Sequence, residues 1–158
     1  MTKYTCCFIG HRRISPQDLP KLTQNLAQTT ETLIRQNIHT FLCGGAIGFD
    51  ILAGQCTITL KEKYPHIKLI MILPCREQYC VWSAEYKAAY RKLLTAADEI
   101  IYISEKYYEG CMKKRNIRLA SDSGYCIAYL KNKKARGNTK HAVRLAVQKG
   151  IPIFNLAD

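Results

Sequence analysis

Short apolar runs alternate with helix-period segments along the whole chain. Residues 4–9 (Tyr-Thr-Cys-Cys-Phe-Ile) carry no charge and read as a strand buried on both faces, where strict alternation is not needed. From Pro16 to about Gln36, Leu19, Leu22, Leu26 and Leu33 mark one face of an amphipathic helix. Residues 40–43 make a short second strand, and Gly44-Gly45-Ala46-Ile47-Gly48 turns the chain into a helix that ends near Tyr64-Pro65. A third strand covers 68–73 and stops at Pro74. A helix over 82–96 places Trp82, Tyr86, Ala89, Tyr90 and Leu93 on a stripe that continues to Ala97. Then come a fourth strand at 99–103, a short helix at 112–120 and a fifth strand at 126–130. A last helix at 139–149 has Gly150 at its C′ position, and a sixth strand covers 151–154.

Six strands alternating with helices predict a single α/β domain over residues 1–158. The expected architecture is a mostly parallel sheet of about six strands with helices on both faces. The length, 158 residues, suits one such domain and is enough to bury a core without disulfides or a structural metal. No apolar run is long enough to span a bilayer, and the first ten residues lack the apolar core of a secretory signal. The expectation is a cytoplasmic protein with no membrane partner.

Charge changes the picture. Twenty-four Lys and Arg against twelve Asp and Glu give +12, and residues 106–149 alone carry twelve cations against Glu109 and Asp122, a net of +10. Such an excess attracts nucleotides, phosphorylated metabolites or nucleic acid, unless it is only a solvated surface. The eight cysteines form no Cys-x-x-Cys pair and the four histidines no metal-ligand spacing, so neither metal nor cofactor is expected. Cys6 and Cys7 are neighbours in a strand and should face opposite sides of the sheet. Most thiols read as small core fillers, whereas Cys111, Cys75 and Cys80 fall in loops where they can be exposed.

In parallel sheets ligands bind beyond the carboxyl ends of the strands, which selects four turns. Gly44, Gly45 and Gly48 let the backbone turn sharply and bring helix amides towards an anion. Asp50, in the first helical turn, is either a dipole-favoured acid or an acceptor for a ribose hydroxyl. Gly10-His11-Arg12-Arg13 offers guanidinium and imidazole donors at the end of the first strand. After the third strand, Gln78 can read a base edge and Tyr79 or Trp82 can stack on one, although Trp82 at helical spacing also fits the core. After the fourth, Tyr107, Tyr108 and Gly110 can form a pocket wall before a cationic helix carrying Arg115 and Asn116, with Asp122 beyond it. Each of these turns also has a purely structural reading, as a tight bend or a solvated basic surface.

Phe-Ile-Gly-His-Arg, Cys-Gly-Gly-Ala-Ile-Gly-Phe-Asp, Ile-Leu-Pro-Cys followed by Gln78 and Trp82, and Tyr-Tyr-Glu-Gly-Cys-Met-Lys-Lys-Arg-Asn occur in that order. The set, with Asp122 and the final Gly-Ile-Pro-Ile-Phe-Asn, resembles the YpsA-like branch of the SLOG superfamily over nearly the whole chain. The resemblance implies a Rossmann-like sheet with a nucleotide pocket over the strand ends, in a superfamily that includes the LOG phosphoribohydrolases, DprA and sensors of ADP-ribose-type signals. It carries Gly10, His11, Arg12, Gly44, Gly45, Gly48, Asp50, Arg115, Asn116 and Asp122 over as ligand-site positions. Where the branch usually has Gly-Gly-Thr, this chain reads Arg136-Gly137-Asn138-Thr139, and Asn138 and Thr139 retain the means to cap a helix or hold an anion. The Pro-Gly-Gly-x-Gly-Thr-x-x-Glu segment of the LOG enzymes is absent.

Three functions stay open. One is a nucleotide or ADP-ribose-like ligand held by a sensor or sequestering protein. Another is N-glycosidic cleavage, with Asp50, Asp122 or Glu105 as acid and Arg12 or Arg115 on the phosphate. The third is a nucleic-acid-binding module that uses residues 106–149. Pairing as a homodimer is compatible with all of them.

Overall fold

The computed structural model describes residues 2–76, 78–79, 82–131 and 137–157. After a short 3-10 turn at Thr2–Tyr4 come β1 (Thr5–Gly10), α1 (Leu19–Arg35), β2 (Thr40–Cys43) and α2 (Phe49–Lys63). They are followed by β3 (Lys68–Leu73), α3 (Ala84–Ala96), β4 (Glu99–Tyr102) and α4 (Cys111–Ser121). The chain finishes with β5 (Tyr125–Tyr129), α5 (Asn138–Lys149) and β6 (Ile153–Asn155). All six strands pair in parallel in one sheet, in the order β4-β3-β2-β1-β5-β6.

Strand order decides which helix covers which face. Right-handed crossovers put α1, α2 and α3 on one face while the chain steps from β1 out to β4. Returning to the other side of β1 reverses the direction, so α4 and α5 cover the opposite face. The core divides accordingly. Leu22, Leu26 and Leu33 of α1, Phe49 of α2 and Tyr90 and Leu93 of α3 pack with Cys6, Phe8 and Phe41. Leu119 of α4 and Ala142 and Ala146 of α5 pack with Cys7, Ile9 and Cys126. Cys6 and Cys7 thus point into different cores, as strand alternation requires.

Several expectations are corrected at element ends. Pro16 lies in a turn before α1, and Leu19 in its first turn is 42% exposed because the buried stripe begins only at Leu22. Tyr86, expected on the buried face of α3, is 46% exposed; Tyr90 and Leu93 carry that contact, and Trp82 packs edge-on against Tyr90. Cys75 and Cys111 are fully buried rather than exposed in loops, while Cys80 lies outside the described residues. Among the described residues no helix is long and apolar enough to cross a membrane, and no cluster of His, Cys, Asp and Glu suits a metal ion.

The start of α2 is fastened to the end of β1. The Phe49 amide donates to the His11 carbonyl at 3.1 Å, and the Phe49 ring lies between Phe8 and Tyr129, with centroids 6.4 and 6.0 Å away. A Cβ at Gly10 would sit 2.3 Å from that ring, and one at Gly48 would sit 2.2 Å from the Arg12 carbonyl oxygen. The two turns therefore touch backbone to backbone only because both positions lack side chains. Gly10→Ala should cost about 3 kcal/mol through overpacking. Urea denaturation would show this as a lower midpoint at unchanged slope; an unchanged midpoint would mean that the Phe49 ring moves aside freely.

Candidate ligand-binding site

Beyond β1 and β5, where strand order reverses, the helices diverge to opposite faces and leave a cleft. Gly10 and Arg12 enter it from the β1 turn, Ala46 and Asp50 from the β2 turn and α2, Arg115 and Asn116 from α4, and Asn138 and Thr139 from α5. Its volume is about 40 Å³, room for a few waters or one small anionic group. Enclosing a whole ligand usually takes roughly 300 Å³ or more, so anything of nucleotide size would keep most of its bulk on the rim.

Arg115 is the cation at the base of the cleft, only 4% exposed. Its Nη1 donates to the Gly44 carbonyl at 2.7 Å and its Nε to Asn116 Oδ1 at 2.9 Å; Nη2 has no partner among the described residues. Asp50, 6% exposed, accepts the Ala46 amide at 3.2 Å. Burial pushes its carboxyl up to about 6, against the opposing pull of Arg115 and smaller help from the Ala46 amide and Arg12. Burial likewise pushes the Cys43 thiol up, leaving it a neutral donor to the Asp50 carbonyl at 3.0 Å. Asp50 and Arg115 form no ion pair within 4.0 Å, but face each other across Gly44. A Cβ there would lie 2.9 Å from Asp50 Oδ2 and 3.0 Å from Arg115 Nη1. Arg12 is exposed at the rim and rests Nη2 on Met112 Sδ at 3.2 Å. Two guanidinium groups thus meet one carboxyl that titrates near 6, and the cleft is positive.

Helix ends add to this. Helices α2, α4 and α5 begin after Gly48, Gly110 and Gly137, and none of these caps supplies a side-chain acceptor. Helix α3 has an ordinary cap, Ser83 accepting from the Tyr86 amide at 3.3 Å. Helix α1 also lacks a side-chain cap bond but lies away from the cleft; the N-termini of α2 and α5 line it, and each favours negative charge.

The expected site residues divide. Gly10, Arg12, Asp50, Arg115, Asn116, Asn138 and Thr139 line the cleft, and Gly44 lies directly behind it. Thr139 Oγ1 donates to the Gly10 carbonyl at 3.2 Å, and Asn116 Nδ2 to the Asn138 carbonyl at 3.4 Å, tying α5 to β1 and α4. Gly48 holds the two turns together, and Gly45 (φ 71°) faces Leu73 and Tyr90 in the core. His11 points the other way: its Nε2 accepts the Lys131 amide at 3.0 Å and its ring packs edge-on against Tyr129. Gln78 is buried and donates to Tyr90 Oη at 3.1 Å, so its amide is used inside the core. Asp122 caps the far end of α4, about 16 Å down an eleven-residue helix, and pairs with Arg118 at 2.7 Å. Glu105 pairs with Arg76. Arg136 and Glu77 lie outside the described residues. Sequence spacing gave no sign of the Gly44–Arg115 hydrogen bond, whose partners are 71 positions apart, or of Asp50 occupying one amide of the glycine turn.

The fold and cleft define a Rossmann-like α/β domain with an anion-favouring crevice at its topological switch point. The chain belongs to the YspA SLOG family, whose model matches residues 6–152. It is 45% identical over 86 residues to the uncharacterized SPbeta prophage-derived protein YoqJ of Bacillus subtilis, covering 54% of this chain and 50% of YoqJ. It is 30% identical over 110 residues to UPF0398 protein BH1768 of Halalkalibacterium halodurans, covering 70% of this chain and 58% of that protein. The matches thus span only half to about three-fifths of these relatives' lengths. Among solved structures, the fold matches DNA processing protein A from Helicobacter pylori, which binds single-stranded DNA. That match has a TM-score of 0.69 at 22% identity, over 98% of this chain and 65% of that one. A second, TM1055, matches with a TM-score of 0.58 at 14% identity, over 98% of this chain and 78% of that one. At these identities the structural likeness concerns the fold.

Asp50 gives the cleft a pH signature. Its carboxyl sits near 6 when folded against 3.8 as a free side chain, so the folded state holds its proton more tightly. Its contribution to stability is greatest below about pH 4 and is lost as pH rises through 6, roughly 3 kcal/mol in all. Asp50→Asn should flatten the stability–pH curve between those limits and raise stability at pH 8, measured by urea unfolding. A variant with the same slope as the parent protein would show that Asp50 is ionised throughout.

Proposed function

We propose that the cleft seats a phosphate of a nucleotide or nucleotide-derived ligand, a nucleoside phosphate or an ADP-ribose-like molecule, in a protein that senses or sequesters it. The observation that carries this reading is the convergence of two glycine-capped helix N-termini, those of α2 and α5, on a buried guanidinium with one open nitrogen. Phosphate oxygens suit both kinds of donor. The base and sugar would lie over the rim, where Asn138, Thr139 and Asn116 offer polar contacts. Asp50 has a structural duty at the Ala46 amide, which favours a role in tuning the cleft's charge over one in reading ribose.

Glycosidic cleavage is less well supported. Among the described residues Asp50 is the one carboxyl lining the cleft; Asp122 and Glu105 lie elsewhere in ion pairs. A nucleic-acid reading is favoured by the fold likeness to the single-stranded-DNA-binding protein from Helicobacter pylori. The same seat would then hold a backbone phosphate.

A thermal-shift panel of AMP, ADP, NAD and ADP-ribose tests the main reading. Ligand at a hundred times its dissociation constant should stabilise by about 2.7 kcal/mol, a rise of several degrees in Tm. Arg12→Ala should weaken the best ligand roughly tenfold to a hundredfold, the loss expected of a hydrogen bond to a charged group. A flat panel, or full affinity in Arg12→Ala, would count against the seat. Release of free base from AMP by the parent protein, abolished in Asp50→Asn, would promote the enzymatic reading instead.

A further inference from the structure

We propose that the cleft is the inner end of a longer site for a single-stranded polynucleotide, which runs from Arg12 and Arg115 over the start of α4 with bases stacked on Tyr107 and Tyr108. This deepens the anion-seat reading and rests on it. It stands on where the cations lack partners, on the exposed aromatic rings beside them, and on the depth of the cleft.

Ion pairs occur at both edges of the sheet. At the amino edge Arg35 and Lys63 pair with Glu31, Lys61 with Asp98 and Arg118 with Asp122, while Lys3, Lys68 and Lys149 have no acid within 4.0 Å among the described residues. At the carboxyl edge, Arg76 pairs with Glu105 and Lys131 with Asp18. Arg12, Arg13, Lys113, Lys114 and Lys140 there have no acid within 4.0 Å among the described residues. The fold uses no ion pair to hold these five, and helix N-termini at the same edge add to their field.

The surface is continuous with the cleft. Arg12 touches Met112 in the first turn of α4, and the exposed Lys113 and Lys114 follow directly. Gly110, in the left-handed region at φ 96°, turns the preceding loop onto that helix, with the Cys111 amide donating to the Tyr108 carbonyl at 3.1 Å. Tyr107 and Tyr108 are 63% and 42% exposed, and neither ring meets another ring among the described residues. Two open aromatic faces beside unpaired lysines form a stacking platform on a cationic track, the arrangement that binds unpaired bases and their backbone together. Glu109 is the one acid in the intervening sequence 107–114.

Cleft depth selects the single strand. Arg115 is nearly buried in a space of about 40 Å³, which one phosphate of a flexible strand can enter while its neighbours stay on the rim. In a duplex the phosphates are held on a stiff cylinder, and the bases stack on each other instead of on tyrosine.

Fluorescence anisotropy with a labelled oligo-dT of about 15 nucleotides and a duplex of equal length tests this. Between about 50 and 300 mM salt, log affinity for the single strand should fall by roughly 0.7 per decade of salt for each phosphate held, near 3 for four contacts. Lys113→Glu with Lys114→Glu should weaken the single strand at least about tenfold and shallow that slope, while leaving the AMP thermal shift in place. Tyr107→Ala with Tyr108→Ala should weaken it about tenfold at unchanged slope. The proposal is overturned if the parent protein binds no oligo-dT at the lowest salt, binds the duplex as tightly, or is indifferent to the tyrosine pair. If AMP binds and oligo-dT does not, only this extension falls; if neither binds, the anion seat falls with it.

Discussion

Backbone contact between two turns underlies everything at the carboxyl edge of this sheet. The turn after β1 and the turn after β2 meet because Gly10 leaves room for the Phe49 ring and Gly48 leaves room for the Arg12 carbonyl. That contact puts the N-terminus of α2 beside the end of β1 and sets one wall of the cleft. The opposite wall comes from α4 and α5, brought there by the reversal of strand order at β1. No ion pair joins the two walls among the described residues; Arg115 of α4 reaches the β2 turn through the Gly44 carbonyl.

Within that frame the polar groups compensate one another only partly. Arg115 is buried and spends two donors on Gly44 and Asn116, and its facing carboxylate, Asp50, stays beyond ion-pair distance and is itself pushed towards neutrality. A buried cation with an incomplete counter-charge is costly to a fold. The N-termini of α2 and α5, which face the same cleft without side-chain caps, carry the same deficit of negative charge. An anion bound there would offset these together.

The architecture was legible because each element announces itself locally. The apolar run at 4–9, the leucines of α1 and the glycines ahead of α2 fall within a residue or a few of the observed ends. Departures came where tertiary position overrode the pattern: Leu19 and Tyr86 keep helical spacing but extend past the sheet they were expected to cover. The lining of the candidate cleft was legible in part, since Arg12, Asp50, Arg115, Asn116, Asn138 and Thr139 lie on segments that a parallel sheet brings to one edge. Direction along each turn was not legible. His11 faces away from Arg12 although adjacent to it, and Gln78 is drawn into the core by Tyr90. Asp122, counted with Arg115 and Asn116 by sequence proximity, sits at the other end of their helix. Such outcomes depend on contacts between residues far apart in the chain.

The central claim is that the N-termini of α2 and α5 and the Arg115 guanidinium converge on one anion. Titrating isotopically labelled protein with AMP, and following backbone amides together with the arginine side-chain Nε–H signals, tests it directly. Asp50, Asn138, Thr139 and the Arg115 side chain should shift together and saturate at one common dissociation constant. Shifts confined to the His11–Lys131 side of the β1 turn, or a spectrum that AMP leaves untouched, would contradict it.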